Sequence, residues 1–458
     1  MRRLSSTDAI EYWVSEVQQS DIFTLLCFDA PEAPVSMDAV VRELRERAQG
    51  VADLRLRVLT VPGDLDRPHW VSADIGPGAF AVHPVRTWQE CLDRLGELTG
   101  EQVDPAECPW RIHLFGPLSG APRGYADEDG DAVVLALQIS HALADGRAIA
   151  AICLGLFAPA AHTDPPRGTG PARRARLTGW RLAAGGVARL PVLAAMSAWW
   201  GLRWFSEYRK ALRRGSGNSG PVGVVPTEVN RSPGPERTLR VLVLDRRWLP
   251  IGYSATAAAL TAISFALDEL LGPAHERTAV VPIGLPPRPG SHNNCCNASI
   301  DLHPETEDVG ERLVLIARDL TAIQKRLTTP GPMVEAALRA EAAFPPSLVH
   351  RAIRRQDRHT RPERVAGVTV VSSVNAESAE LPLSGSRPEL ALAGGRVRFG
   401  AGFPYLVEYM GLGHGVIGVG PMVMLSVITS PEIIDVDNYV PMLRRAVDRI
   451  AAEVPSRG

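Results

Sequence analysis

The run DAVVLALQISHALADG, residues 131–146, constrains the fold of this chain more than any other stretch. Between positions 132 and 139 only Gln138 is polar, whereas successive side chains of a β-strand point to opposite faces of its sheet. A strand apolar on both faces needs cover on both, which predicts a sheet inside a layered α/β architecture. The Asp-Gly pair at 129–130, within DEDGD (127–131), reads as the turn that feeds this strand. DGRAIAAICLGLFA (145–158) then reads as a helix capped by Asp145. His141 is the residue that needs explaining. An imidazole at the end of such a strand is either a satisfied core group or a base aimed into a pocket.

Strand-like and helix-like pieces alternate on both sides of this run. Residues 22–30 and 55–62 read as extended, and 37–50 and 87–104 have helical spacing. After position 237 the alternation resumes with RTLRVLVLD, a helix over 254–272, RTAVVPIGLP, NASIDLHP and a helix near 308–327. Extended AGVTVVSS and GPMVMLSVITS follow, and a helix over 436–454 closes the sequence. Two Pro/Gly/Ser-rich stretches, 163–175 and 215–237, read as linkers. At 458 residues the chain exceeds one ordinary core. The expected organisation is an N-terminal lobe (1–165), a linker with a basic, Trp-rich helix (166–236) and a C-terminal lobe (237–458).

A formal net charge of −2 gives no whole-chain footprint for nucleic acid. No apolar segment follows Arg2 and Arg3 as a secretory signal would require, and the six cysteines have no CxxC spacing. Reduced thiols in a cytoplasmic protein are therefore expected. Several other chemistries fit poorly. Ser140 and His141 are strand neighbours and point apart, so they make no dyad. No GxSxG is present. GHGVIG (413–418) matches GxGxxG, but an extended stretch follows it where a dinucleotide phosphate would need a helix N-terminus. DEDGD resembles the start of a calcium loop without its late glutamate. His292 and His303 flank Cys295-Cys296 without metal-ligand spacing, so no metal site is expected.

His141, Asp145 and Gly146 form an HxxxDG motif. It resembles the HHxxxDG of the wax ester synthase/diacylglycerol acyltransferase family and, more distantly, that of peptide-synthetase condensation domains and other chloramphenicol acetyltransferase-like enzymes. Further pieces are similar to the wax synthase group in the same order. Leu4, Ser5, Asp8 and Ala9 resemble its LSxxDA, Pro68-His69-Trp70 and His83 its PxW…H segment, and Asp104, Pro109 and Trp110 its LDRSRPLW region. Asn294 with the following NASIDLHP resembles its GNxxS…LP strand. There are departures as well. Ser140 stands where the first histidine of the pair would be, and Ala258 and Ala259 stand where an Asn-Asp pair would fall. SSVNAE (372–377) replaces SNVPGP, and DFGWG is missing.

The resemblance implies a fold of two chloramphenicol acetyltransferase-like lobes with an active-site channel between them. It implies an O-acyltransferase in which His141 is the general base, Asp145 orders the loop and Gly146 keeps bulk away. Histidine suits that role because its ordinary pKa lies near neutrality. Nothing local to the motif identifies the oxyanion donors; Asn294 and Ser140 are the candidates for the substrate channel or the oxyanion site. The co-substrate would be an acyl-CoA or acyl-carrier thioester, with no permanently bound cofactor. The acceptor would be a long-chain alcohol or diacylglycerol, as in wax ester and triacylglycerol synthesis. The alternatives are a standalone condensation-type enzyme forming an ester or amide, and a catalytically silent binding relative, which the changes at Ser140, Ala258 and Ala259 motivate.

The connector adds a partner question. Residues 171–214 hold ten arginines and lysines against one acid, Glu207, with Trp180, Trp199, Trp200 and Trp204. The apolar run between Arg189 and Arg203 is 13 residues, short of the roughly 20 a spanning helix needs. Such a helix can pack its Trp face between the lobes, lie on the inner face of a membrane, or receive an acidic carrier protein.

Overall fold

The structure, a computed structural model, describes residues 1–31, 36–123, 130–158, 173–213, 223–374 and 390–455. The DEDGD turn, both Pro/Gly/Ser-rich linkers and the end of SSVNAE lie wholly or partly outside these residues. Elements are numbered in chain order.

The N-terminal lobe is built on a mixed sheet of order β12-β13-β2-β7-β6-β5. Its strands are β2 (Asp21–Asp29), β5 (Phe80–His83), β6 (Trp110–Ala121), β7 (Gly130–Ser140), β12 (Ala391–Leu392) and β13 (Gly395–Phe403). A small sheet of β1 (Arg2–Arg3), β4 (His69–Ser72) and β3 (Leu56–Leu59) lies beside it. The lobe's helices are α1 (Ser6–Ser15), α2 (Met37–Gly50), α3 (Trp88–Leu98) and α4 (Gly146–Phe157). β7 is central, and its residues 132–140 are all buried. Val133, Leu135, Leu137 and Ile139 face one core, while Ala132, Val134 and Ala136 face another. Both faces are covered, as the apolar run demands, at about 1.5–3 kcal/mol for each large side chain.

The C-terminal lobe holds the second mixed sheet, of order β10-β9-β11-β14-β15-β8. Its strands are β8 (Thr238–Asp245), β9 (Thr278–Gly284), β10 (Cys295–Asp301), β11 (Thr369–Val374), β14 (Leu412–Val419) and β15 (Met422–Thr429). Helices α6 (Ala255–Leu271), α7 (Val309–Thr328) and α10 (Val436–Glu453) cover it. Helix α5 (Arg173–Arg213) connects the lobes, and α8 (Pro332–Ala343) and α9 (Pro346–Arg355) follow α7. Helix starts follow side-chain chemistry. Ser5, Ser36, Thr87, Asp145, Ser254 and Asp308 each accept a hydrogen bond from an amide of the first turn.

A division of the chain at residue 237 does not hold for residues 391–403. β13 pairs antiparallel with β2 from Val397↔Phe28 to Phe403↔Phe23, so a late segment completes the N-terminal sheet. The exchange is cemented by the core that Ala132, Val134 and Ala136 face, in which Phe23, Leu25, Leu92 and Leu95 meet Phe399, Phe403, Leu239 and Met424. α9 also crosses over. His350 bonds Glu16 at 2.9 Å and Asp64 at 2.8 Å, and its ring stacks on Trp13. GHGVIG forms β14, whose His414 is bonded to Thr369 and Tyr439 in the core and held neutral by burial, down to about 3.

Candidate active site

β7 ends at Ser140 and α4 begins at Gly146, so the HxxxDG motif is the loop between them. Ala142, Leu143 and Ala144 are fully buried and fix the loop from below. Leu143 N donates to Ser140 O at 2.9 Å. His141 is half-buried and lies on the wall of a cavity of about 800 Å³ between the lobes. Its ring stands edge-on to Tyr405, with centroids 5.8 Å apart. Nδ1 is sealed from solvent without a hydrogen-bond partner.

Asp145 ties the loop to both lobes. Oδ1 accepts from Ala148 N at 2.9 Å, capping α4, and Oδ2 accepts from the backbone N of Asn294 at 2.8 Å. With both oxygens taken by amides, this carboxylate shapes the loop and makes no bond to the imidazole. A Cβ on Gly146 would lie 3.0 Å from Val374 Cγ2, so the absent side chain lets α4 approach β11. The backbone of Gly146 is not left-handed, so conformational freedom is not what this glycine supplies.

The loop 291–294 reaches across from the C-terminal lobe. Asn293 Nδ2 donates to the carbonyl of His141 at 2.6 Å and to Asp8 Oδ1 at 3.2 Å. Asp8, fully buried on α1, also accepts from the backbone N of His292 and of Asn293. The His292 ring lies 3.6 Å from Asp8 and 3.4 Å from Asp53, with Arg2 at 3.0 Å and Trp70 edge-on. Burial alone would lower His292, but the hydrogen bonds and charges of Asp53 and Asp8 outweigh it and carry the ring up to about 9. Burial alone would raise Asp8; bonds to His292 and Asn293 hold it below the usual carboxylate range. The LSxxDA-like segment thus acts at the lobe junction, with Ser5 capping α1 and Ser5 Oγ 3.1 Å from Ser291 Oγ.

Two expected channel residues stand elsewhere in the chemistry. Ser140 is fully buried, is not on the cavity wall, and its Oγ accepts from Ala142 N at 3.3 Å. Strand alternation turns it away from the face that His141 uses. Asn294 does line the cavity, but its side chain is engaged within its own loop. Nδ2 donates to Ser291 O at 3.1 Å, and Oδ1 accepts from Arg288 N at 3.0 Å. Five hydroxyl-bearing residues that no sequence motif marks also line the wall: Thr24, Ser254, Thr256, Ser372 and Ser373. Thr256 Oγ1 and Ser373 Oγ are 2.7 Å apart. Ala258 and Ala259 are fully buried in the C-terminal core and absent from the wall. Among the described residues no cluster of three or more His, Cys, Asp or Glu side chains could hold a metal ion.

Two interlocked mixed-sheet lobes, with an HxxxDG loop opening on a cavity between them, define the chloramphenicol acetyltransferase-like class of fold. At the level of sequence, no protein-family model and no curated protein matches the chain. Solved structures match over nearly its whole length. The wax ester synthase/diacylglycerol acyltransferase from Marinobacter aquaeolei VT8 is 16% identical, with 99% of each chain covered and a TM-score of 0.61. The starter condensation domain of rhizomide synthetase, solved with C8-CoA and Leu-SNAC, is 12% identical over 99% of this chain and 95% of that one, with a TM-score of 0.53. The first condensation domain of the calcium-dependent antibiotic synthetase, solved with a substrate analogue, is 13% identical over 100% and 97%, with a TM-score of 0.54. At these identities the likeness shows the fold, one shared by an acyltransferase and by condensation domains.

Proposed function

We propose that this chain moves an acyl group from a thioester to a hydroxyl group, with His141 as the general base. One observation carries the reading: His141, half-buried at the end of β7, lines a cavity large enough for a substrate where the two lobes meet. Nε2 takes the acceptor's proton as its oxygen attacks the thioester carbonyl carbon. The tetrahedral oxyanion collapses, the C–S bond breaks, and the departing thiolate takes the proton back from the imidazolium. The products are an ester and a free thiol. The thioester is already activated, so neither a protein nucleophile nor a bound cofactor enters the chemistry. Asp145 and Asn293 position the loop, and the hydroxyl of Ser372, on the same strand face as the Val374 that meets Gly146, is the candidate to meet the oxyanion.

The wall favours a fatty acyl chain and an apolar acceptor, since Ile22, Leu26, Ile149, Val281, Leu320 and Ile417 all contribute to it. A long-chain alcohol or diacylglycerol acceptor with an acyl-CoA donor is accordingly the leading assignment. Purified protein given palmitoyl-CoA with hexadecanol or dipalmitoylglycerol is expected to release free CoA and form the ester. Turnover only with a carrier-bound acyl group and an amine would move the assignment to a condensation-type enzyme. No turnover with either donor would leave a binding relative.

A further inference from the structure

Helix α5 runs 41 residues with Pro191 inside it, and its two halves have different surroundings. The first half is fastened to the N-terminal lobe. A Cβ on Gly186 would lie 2.1 Å from the carbonyl oxygen of Leu65, so only glycine lets the helix lie that close. Arg189 is 2.6 Å from Asp66, itself sealed from solvent. The second half has α8 as its companion, with Arg339 of α8 4.6 Å from the ring centroid of Trp200. Leu193, Ser197, Trp200 and Gly201 form the less exposed stripe. On the rest of the surface Trp199 is 65% and Leu202 69% exposed, joined by Val192, Met196 and Phe205, and by Val334 and Leu338 of α8. A Trp face packed between the lobes is therefore not what this helix provides.

Residues 190–202 contain no charge, and beyond them stand Arg203, Arg209, Lys210 and Arg213 against Glu207 alone. Thr178–Lys210 is long and apolar enough to cross a membrane, and 11% of its most apolar window is buried. Its charge-free run nevertheless measures only about 20 Å at 1.5 Å per residue, against the roughly 30 Å of a hydrocarbon core. The anchorage of Arg189 and Gly186 also prevents the helix from leaving the N-terminal lobe. An acidic carrier would need charges where residues 190–202 offer none. A second copy of the helix would bring Glu207 as the one acid to meet the cluster of Arg203, Arg209, Lys210 and Arg213.

We propose that the α5–α8 arm lies in the headgroup region of an anionic bilayer, indoles at the boundary and arginines toward lipid phosphates. The cavity wall and the arm are linked along the chain. Leu320 and Gln324 of α7 line the cavity, α7 ends at Thr328, and α8 begins at Pro332. An amphiphilic substrate partitioned in the bilayer would then lie next to a structural wall of the site. This docking is independent of the acyl-transfer reading.

The test is flotation of the full chain with phosphatidylcholine vesicles with and without phosphatidylglycerol. The protein should float with the anionic vesicles, and dibrominated phosphatidylcholine should quench its tryptophan fluorescence. Arg203→Gln with Arg209→Gln should weaken binding roughly 20-fold at low salt. Trp199→Ala with Leu202→Ala should weaken it about tenfold or more. His141→Ala should bind as the wild type does, which separates this result from any failure of catalysis. Absence of both flotation and quenching would overturn the proposal even if a variant failed to fold. So would unchanged binding of the folded variants, or a concentration-dependent dimer that Trp199→Ala with Leu202→Ala dissolves.

Discussion

Asp8 and Trp199 are both held far from the surroundings their chemistry favours. One is a carboxylate with no solvent-exposed surface, and the other an indole with 65% of its surface left in solvent. Asp8 is tolerated because the interior meets its charge with the amides of His292 and Asn293 and the His292 ring. A buried charge without such partners would cost several kcal/mol. Nothing comparable answers Trp199, whose neighbours on α5 are themselves exposed and apolar. The difference separates two kinds of surface. The lobe junction is satisfied by groups of the chain itself; the apolar face of the arm is left uncovered among the described residues.

Substitutions can break that contrast, and the largest effect is expected at the junction. Asp8→Ala leaves the donors of His292 and Asn293 unanswered in the interior and should cost about 3–5 kcal/mol in urea-denaturation stability. A loss below about 1 kcal/mol would mean that the lobes are held together elsewhere. Asp145→Ala removes a helix cap and the acceptor for Asn294, at about 1–2 kcal/mol. Asp145→Asn keeps an oxygen for Ala148 but turns its NH2 toward the N–H of Asn294, so it should recover only part of the turnover lost in Asp145→Ala. Full turnover in Asp145→Ala would show that the loop needs neither bond.

The junction should also respond to pH. His292 is raised from 6.5 in the unfolded chain to about 9 in the fold, so the native state binds its proton more tightly. Its contribution to stability is complete below about pH 6.5 and is lost as pH rises through about 9. The urea midpoint should fall over that interval, and Asp8→Asn should flatten the fall. The smallest effect belongs to the arm. Trp199→Ala should change stability by no more than about 0.5 kcal/mol, because the side chain gains little from folding. A loss of several kcal/mol in the isolated protein would show that the chain itself covers this indole.

These contrasts track what the sequence made legible. β7 and α4 were readable because an unbroken apolar run and an Asp-Gly cap are local patterns, and His141 and Asp145 come with them. α2 and α10 were readable from their apolar spacing in the same way. β13 escaped because GGRVRFGAGF mixes glycines with arginines and finds its partner, β2, some 370 positions away in the chain. α8 escaped because it is rich in alanine, and α9 because its apolar stripe, Val349 and Ile353, is short and set among arginines. Within the site, the clamp from Asp8 through Asn293 to His141 spans separations of 285 and 152 residues, which no local pattern encodes. Ser140 illustrates the reverse. Strand alternation already separated it from His141, and the structure turns it into the core.

The most direct test of the account is the initial rate of thiol release from palmitoyl-CoA, with hexadecanol as acceptor, for wild type and His141→Ala at matched folding stability. The account predicts measurable wild-type turnover and a kcat lower by about 10²–10⁴-fold in the variant, as expected when a general base is removed. A variant that releases CoA as fast as the wild type would contradict it.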